Sequence, residues 1–227
     1  MNMLKKNTLV AACALALGSA GTSVLADSDH FAGPYLGLSV SGYGAGIDGN
    51  STSTGINSGG TDNSVQIGKV AAVSGGEIGY ALPLGSAFLV DVGVSYLAGE
   101  AKLDYQSDDA GSIGANVALK IDELVTYYIA PTLALSDTAS VYVKVGLSEA
   151  DIGVTGDITT PGNLSGTTWA LGTRVVLDSG IFIRSEAGYT EYNGISSHGN
   201  GTGQATTTSY SAEPTTAYGK ISMGFRF

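Results

Sequence analysis

The stretch Ala217-Tyr-Gly-Lys-Ile-Ser-Met-Gly-Phe-Arg-Phe227 alternates between apolar and polar side chains along its length. Successive side chains of a β-strand point to opposite faces, so the alternation predicts a strand with one apolar face and one polar face. The apolar face carries Phe225 and Phe227 at a chain end, where soluble proteins usually fray. A strand that faces a bilayer gives such terminal aromatic residues an apolar environment at headgroup depth. The stretch therefore favours a lipid-facing final strand.

This ending resembles that of the small outer-membrane β-barrel family, which includes OmpA-like, OmpX-like and opacity-type proteins. In that family the final strand typically ends in Phe and carries the recognition signal for the barrel assembly machinery. The resemblance implies that Phe227 is the C-terminal assembly signal and that the assembly machinery is a partner. It also implies an interior filled by an ion-pair network, without an open channel.

The N-terminal segment has the three parts of a cleavable secretory signal: Lys5 and Lys6, an apolar run from Leu9 to Leu17, and small residues up to Ala26. The apolar run is too short to span a bilayer as a helix. Residues 1–26 are therefore predicted to be a signal peptide, and residues 27–227 the mature domain.

The only cysteine, Cys13, lies inside this signal, so the mature chain has no thiol, disulfide or cysteine metal ligand. Val10-Ala-Ala-Cys13 also matches a lipoprotein cleavage box. Cleavage there would leave a very short apolar core before the cut and place apolar residues 14–17 after it. The plain signal peptide is the favoured interpretation.

The charge of the mature chain excludes one class of partner. Removal of Lys5 and Lys6 from the ten basic residues leaves eight against twenty acidic residues, a formal charge of −12. No basic patch is available to replace counterions on phosphates, so we expect no nucleic-acid binding. No run of eighteen apolar residues follows the signal, so no transmembrane helix is predicted either.

Eight segments of the mature chain have strand-like alternation, and their connections differ in length in a regular way. Three connections are short, at 83–86, 136–139 and 178–180, and they alternate with four long polar segments, at 46–64, 106–116, 155–166 and 193–214. This pattern is typical of an up-and-down barrel with short turns on one side and long loops on the other. A Greek-key sandwich needs connections that skip neighbouring strands, which the short turns leave little room for. We therefore predict an all-β, eight-stranded antiparallel transmembrane barrel, with Pro131 of the fourth strand at a bulge.

Aromatic residues are expected at both membrane boundaries, as in outer-membrane barrels. If the N-terminus is periplasmic, Phe88, Phe225 and Phe227 fall near the inner boundary, and Trp169, Tyr189 and Tyr43 near the outer one. The four long segments are then extracellular loops. The partners expected from this arrangement are outer-membrane lipid and lipopolysaccharide, and we expect a monomer.

Strand parity directs charges of both signs into the interior. An eight-stranded barrel is just wide enough for side chains to fill it, so these charges must pair with one another or with trapped water. The predicted interior charge network consists of Glu77, Asp91, Lys144, Arg174, Arg184, Glu186, Lys220 and Arg226.

The sequence offers little for catalysis or metal binding. His30 follows the cleavage site, and His198 lies in the fourth polar segment near Ser197 and Glu191, where no rigid element would hold a catalytic triad. Acidic residues gather at the predicted extracellular rim, where a solvated surface is favoured over a Ca²⁺ or Mg²⁺ site because no spacing matches a calcium-loop motif. The rim residues are Asp104, Asp108, Asp109, Asp122, Glu123, Glu149, Asp151 and Asp157.

We therefore expect no enzyme, no cofactor and no bound metal. The leading hypothesis is a structural or surface-interaction protein whose loops provide adhesion or host contact. The alternatives are a small pore for ions or solutes and, ranked last, a lipid-modifying envelope enzyme.

Overall fold

The computed structural model describes residues 27–54, 63–105, 117–155, 163–200 and 207–227. The predicted signal peptide and its Cys13 lie outside these residues. Within these ranges, a short 3₁₀ helix, Ser28–Phe31, precedes nine strands. The strands are β1 Gly33–Thr54, β2 Asn63–Pro83, β3 Phe88–Tyr105, β4 Val117–Ala134, β5 Ala139–Thr155, β6 Leu164–Val176, β7 Ile181–Tyr192, β8 Ile195–Asn200 and β9 Thr207–Arg226.

Eight of these strands close into a barrel. Each of β1 to β6 pairs antiparallel with the next strand, β7 pairs with β9, and β9 pairs back with β1. The ninth strand, β8, pairs with the first part of β9 in a hairpin at the barrel's end. The predicted eight-stranded antiparallel up-and-down barrel is confirmed.

The stagger of the barrel follows from the strand registers. A path of directly paired residues leaves β2 at Val70, passes through each of the other seven barrel strands in turn, and returns to β2 at Tyr80. The offset between these two residues is 10, which is the shear of the barrel. Eight strands with this shear tilt by about 40° from the barrel axis, within the range of closed barrels.

The three short connections lie at the same end of the barrel as residues 27–32 and Phe227, which we call the turn end. The opposite end, the loop end, is built from longer strands than the sequence pattern predicts. β1 continues to Thr54, inside the predicted loop 46–64, and β8 with the first part of β9 occupies much of the predicted loop 193–214. Gly, Ser, Thr and Asn dominate these stretches, so their apolar alternation is weak although their backbone groups pair. Residues 55–62, 106–116, 156–162 and 201–206 of the predicted loops lie outside the described residues.

The predicted bulge at Pro131 is wrong. Pro131 lies opposite Val90 in an unbroken register between β3 and β4. The register shifts occur closer to the loop end, between Leu97 and Glu100 of β3 and between Asp122 and Val125 of β4. Glu123, inside the second shift, has the positive φ of 48°. Pro131 lacks an amide donor, and the pairing of β4 with β5 is interrupted at Ala130 and Pro131. The register is the same on both sides of this interruption, so no extra residue is present.

These two bulges coincide with a seam in the barrel wall. β2 and β3 are paired from Pro83 and Leu89 up to Ser74 and Ala98, and beyond that point both strands continue without pairing to each other. A bulge bends and twists its strand, and the bulges of β3 and β4 lie at the level where the pairing stops. At the loop end, β3, β4 and β5 therefore form one wall, and β2, β1, β9 and β8 form another.

Among the described residues, no helix has the length and apolar character required to cross a membrane.

Candidate functional site

The outer surface of the barrel is an apolar belt. Alternate residues of the barrel strands point outward, and large apolar side chains at these positions are exposed. An exposed apolar area of this size needs an apolar solvent, because soluble monomers rarely expose such large patches. The belt includes Leu38, Val40, Ile78, Val92, Ile129, Leu147, Leu171, Ile221 and Met223.

Aromatic residues border this belt on both sides. Phe88, Phe225 and Phe227 lie outward at the turn end, and the rings of Phe225 and Phe227 pack edge to face with centroids 5.2 Å apart. Trp169 and Tyr189 are register partners on β6 and β7 toward the loop end, and both point outward. Outward-facing Tyr96 and Tyr127, which the sequence analysis did not assign, extend this second aromatic ring to β3 and β4.

Tyr43 is the exception, and its predicted place in the outer girdle is wrong. Its side chain is buried, and its ring stacks on that of Tyr218 with the centroids 5.2 Å apart. Tyr43 has the same parity as Ser39 and Ser41, which point inward. The parity of Tyr43 along β1 therefore determines that its side chain points inward, although the residue lies about as far from the turn end as the second aromatic ring.

The interior holds seven of the eight predicted charges as one alternating chain. Asp91 contacts both Arg174 and Arg184, and Arg184 Nη1 lies 3.3 Å from Glu77 Oε1. Each of the seven residues is at most 5% exposed. Cations and carboxylates thus alternate in the order Arg174, Asp91, Arg184, Glu77, Lys220, Glu186, Lys144.

The second half of this chain centres on Glu186. Lys220 Nζ bridges Glu77 Oε2 at 3.3 Å and Glu186 Oε1 at 3.2 Å. Lys144 Nζ lies 2.5 Å from Glu186 Oε2. Tyr142 and Tyr218 each donate a hydroxyl hydrogen bond of 2.8 Å to the same carboxylate. Glu186 therefore contacts four side chains on β5 and β9, two through hydrogen bonds and two through ion pairs, and it fixes these strands relative to β7.

Arg226, the eighth predicted member, lies apart from the carboxylates. Its Nη1 donates to the backbone oxygens of Ala32 at 3.0 Å and Asp29 at 3.4 Å. It therefore ties the end of β9 to the segment that follows the 3₁₀ helix.

Inward tyrosines are a feature of the interior to which the sequence analysis assigned no role. Tyr35, Tyr128, Tyr142 and Tyr218 surround the charges, and the hydroxyls of Tyr35 and Tyr128 are 2.8 Å apart. Arg184 lies 4.5 Å from the ring centroid of Tyr35, and Lys144 Nζ lies 4.2 Å from that of Tyr128. These contacts place cations over aromatic faces, which attract them.

Each of these tyrosines lies over a glycine on the neighbouring strand. The register pairs are Tyr35 with Gly79, Tyr128 with Gly93, Tyr142 with Gly172, and Tyr218 with Gly188. A Cβ added at any of the four glycines would lie 2.3–2.8 Å from an atom of the tyrosine ring. The glycines therefore make room for the rings, and the sequence signal was the coincidence of 34 Gly with 12 Tyr in one chain.

Phe31 closes the turn end of the interior. It is fully buried, in one apolar cluster with Tyr35, Leu89, Val176 and Phe182. The 3₁₀ helix that carries it is held from outside the cluster, since Ser28 N and Oγ donate to the backbone oxygens of the first short turn at 2.8 Å and 2.6 Å. The segment Ser28–Phe31 therefore forms a floor under the charge network.

Two further layers fill the interior toward the loop end. Hydroxyls of Thr126, Ser148, Thr168 and Thr190 are linked from strand to strand at 2.5–2.7 Å. Above them lies an apolar cluster of buried side chains from six strands. Its members are Tyr43, Ala45, Leu97, Leu124, Ala150, Leu164 and Tyr192.

Within the described part of the chain, His30 and the rim carboxylates form no comparable site. Among the side chains that the structure describes, no three His, Cys, Asp or Glu residues come together as metal ligands. Glu123, Glu149 and Asp151 are exposed near the β4 bulge. Asp108, Asp109 and Asp157 lie outside the described residues, as do the side chains of Asp104, Asp122, Ser197 and His198.

A closed barrel with a lipid-compatible belt, aromatic borders and a packed polar interior defines an integral membrane β-barrel. The sequence matches the family model "Outer membrane protein beta-barrel domain" over residues 11–213. The chain belongs to this family, and its location is the outer membrane of a Gram-negative bacterium. The predicted family resemblance is thereby confirmed.

Solved structures support the fold alone. The outer membrane protein OprG from Pseudomonas aeruginosa is 11% identical with a TM-score of 0.50, and the match covers 86% of this chain and 97% of that one. The outer membrane protease OmpT from Escherichia coli is 8% identical with a TM-score of 0.51, over 92% of this chain and all of that one. No curated protein sequence matches the chain.

The location leads to a prediction about orientation. If the turn end is periplasmic, a cysteine placed at Ser86 or Ser179, in two of the short turns, is expected to resist an impermeant thiol reagent on intact cells. The same cysteines should react after the outer membrane is permeabilised, which serves as the control. Labelling of either residue on intact cells would show that the turn end is extracellular.

Proposed function

We propose that this protein acts at the cell surface as a structural and surface-interaction protein, with its loop-end strands and loops as the contact surface. The observation that supports this most directly is the filled interior. The Phe31 floor, the charge network, the hydroxyl layer and the apolar upper cluster follow one another along the axis. Such an interior favours a scaffold over a solute path.

The loop end supplies the surface for contact. β9 begins at Thr207, ten residues before Ala217, and Ala217 pairs with Tyr189 of the second aromatic ring, toward the loop end. Ten strand residues at the barrel's tilt rise roughly 25 Å along the axis. Paired strands therefore project well beyond the lipid belt, where a rigid scaffold can present them to a host surface or another cell.

The partners proposed with this role are outer-membrane lipid and lipopolysaccharide around the belt, and the barrel assembly machinery at the strand that ends in Phe227. The belt has the apolar character that lipid requires, and β9 closes the barrel against β1. The proposal includes a monomer in the membrane, no nucleic-acid partner and no catalytic step.

Planar-bilayer recording tests the filled interior. The purified, refolded protein is expected to show no steady single-channel steps, because buried ion pairs and apolar layers occupy the axis. A variant with Phe31→Gly, Tyr142→Gly and Glu186→Gly provides a positive control for insertion if it conducts. Regular steps from the unaltered protein would support the pore alternative instead.

Cell-surface display tests the contact role. We expect a non-adherent bacterial strain that displays the protein to gain adhesion to host cells or to other bacteria. Replacing residues 194–213 by a short Gly-Ser turn removes β8 and the start of β9 but leaves the lipid belt, so adhesion should fall while heat-modifiable gel migration remains. Equal adhesion with and without the displayed protein would contradict the proposed role.

A further inference from the structure

The interior charge network has one positive charge too many. Its buried members are four cations and three carboxylates, and each residue is at most 5% exposed. The two end members of the alternating chain, Arg174 and Lys144, are both cations. A buried charge without a counterion is costly in a low-dielectric interior, so the surplus charge needs compensation.

The surplus is concentrated at the Arg174 end. Lys144 has its own close contact with Glu186 at 2.5 Å and lies over the ring of Tyr128. By contrast, Arg174 shares the single carboxylate of Asp91 with Arg184. The further contacts of Arg174 are neutral: Nη1 donates to the backbone oxygen of Phe31 at 3.4 Å, and the guanidinium lies 5.4 Å from the ring centroid of Tyr35. Two guanidinium groups thus face one carboxylate just above the apolar floor.

Unpartnered hydrogen-bond donors lie at this same place. Arg174 Nε and Ser140 Oγ are both buried without a hydrogen-bond partner. Ser140 is 1% exposed and is the register partner of Arg174 on β5. Cβ atoms of such partners lie about 4.5–5.5 Å apart, so the two side chains start from neighbouring positions on the inward face. Buried polar groups in folded proteins are nearly always satisfied, so a partner is missing here.

The chemistry of the missing partner follows from these two facts. A water molecule could accept from both donors, but it would leave the positive charge in place. A carboxylate or phosphate is large for a site between residues that are 1–2% exposed. We propose that one small monovalent anion of the chloride type is bound between the Arg174 guanidinium and the Ser140 hydroxyl. Such an anion satisfies the donors and balances the network. The unpartnered acceptor Asp91 Oδ1 then requires a water of its own.

This site lies inside the scaffold and is independent of the contact role proposed for the loop end. The anion would be enclosed as the barrel closes over it, since the Phe31 floor lies below and the charge network above. It therefore acts as a structural counterion for the folded state, and anything that binds only the folded state stabilises it.

The test is refolding of the full mature chain into detergent in sodium chloride, sodium bromide or sodium gluconate at equal ionic strength. Chloride and bromide are expected to raise the midpoint of urea unfolding in a saturable way, whereas gluconate is too large to enter. A crystal grown in bromide should show an anomalous peak in contact with Arg174 Nε and Ser140 Oγ.

Two serine variants separate this site from a general salt effect. Ser140→Ala is expected to raise the chloride concentration for half of the stabilisation by about tenfold, because it removes a hydrogen bond to a charged group. Ser41→Ala, the matched control, removes another buried unpartnered hydroxyl elsewhere in the interior and should leave that concentration unchanged.

Equal unfolding midpoints in chloride and gluconate would overturn the proposal, as would a bromide map with only water beside Ser140. Identical shifts in the two serine variants would also overturn it. The anomalous map can be read on the unaltered protein, so the test does not depend on whether a variant folds.

Discussion

Glu186→Ala is expected to lower the free energy of unfolding by about 3–5 kcal/mol, the usual cost of removing one partner from a buried ion pair. The substitution leaves the Lys144 ammonium without its contact at 2.5 Å and Lys220 without its contact at 3.2 Å. The hydroxyls of Tyr142 and Tyr218 also lose their acceptor. Urea titration of the refolded protein in detergent measures the loss. Glu149→Ala is the matched control, because Glu149 is exposed at the loop end, and its effect should stay within about 0.5 kcal/mol.

A double substitution identifies the reason for this loss. Glu186→Leu together with Lys144→Met removes the carboxylate and its closest cation at once, while Lys220 keeps its contact with Glu77 at 3.3 Å. The pair is expected to recover a large part of the stability lost by Glu186→Leu alone, because apolar replacement of a buried ion pair is often neutral. If the stability lost in the double variant equalled the sum of the losses in Glu186→Leu and Lys144→Met alone, Lys144 and Glu186 would not be coupled.

Ile221→Arg is expected to cost about 2–4 kcal/mol for a different reason, since it places a cation on the lipid face near mid-depth. Ile221 points outward on β9 and is 59% exposed. It lies four residues from Phe225 at the turn end and four from Ala217, the register partner of Tyr189. Its own register partner on β7 is Ser185, so no acidic side chain lies opposite the new charge on that strand. Refolding into lipid bilayers, followed by denaturant titration, measures the cost.

The depth dependence supplies the control for this second prediction. Ile181 also points outward, but it is the first residue of β7 at the turn end and pairs with Phe225. Ile181→Arg should therefore cost less than Ile221→Arg, because the penalty falls to about 0–1 kcal/mol near the interface. A neutral Ile221→Arg, or a larger effect at Ile181, would contradict the assigned position of the lipid belt.

Strand parity is the information that the sequence carried most reliably. The alternation in β3, β5, β6, β7 and β9 predicts which side chains point inward. Six charges on these strands, and Glu77 on the less regular β2, lie inside as their parity indicates. Parity succeeds because a one-residue shift in an amphipathic strand would expose its charges to lipid. Tyr43 was misplaced where depth was given more weight than parity.

Strand length and bulge position could not be predicted in this way. Residues 47–54 of β1 and all of β8 have too little apolar alternation to be recognised as strands, and their neighbours' free backbone groups hold them in the sheet. The sequence analysis placed a bulge at Pro131, but the bulges lie at Leu97–Glu100 and Asp122–Val125. A bulge depends on how two strands must bend relative to each other, which neither strand's sequence specifies alone.

The sequence by itself determined that the chain is a closed antiparallel barrel, which of its faces meets lipid, and that charges of both signs share its interior, because these follow from a two-residue period and from turn lengths. Only the tertiary structure decided which charges meet. Glu186 contacts Lys144 from β5 and Lys220 from β9, and Arg184 reaches Glu77 on β2. These pairings depend on a shear of 10 and on the tilt that it imposes, because the tilt sets which strands bring their inward residues to the same height.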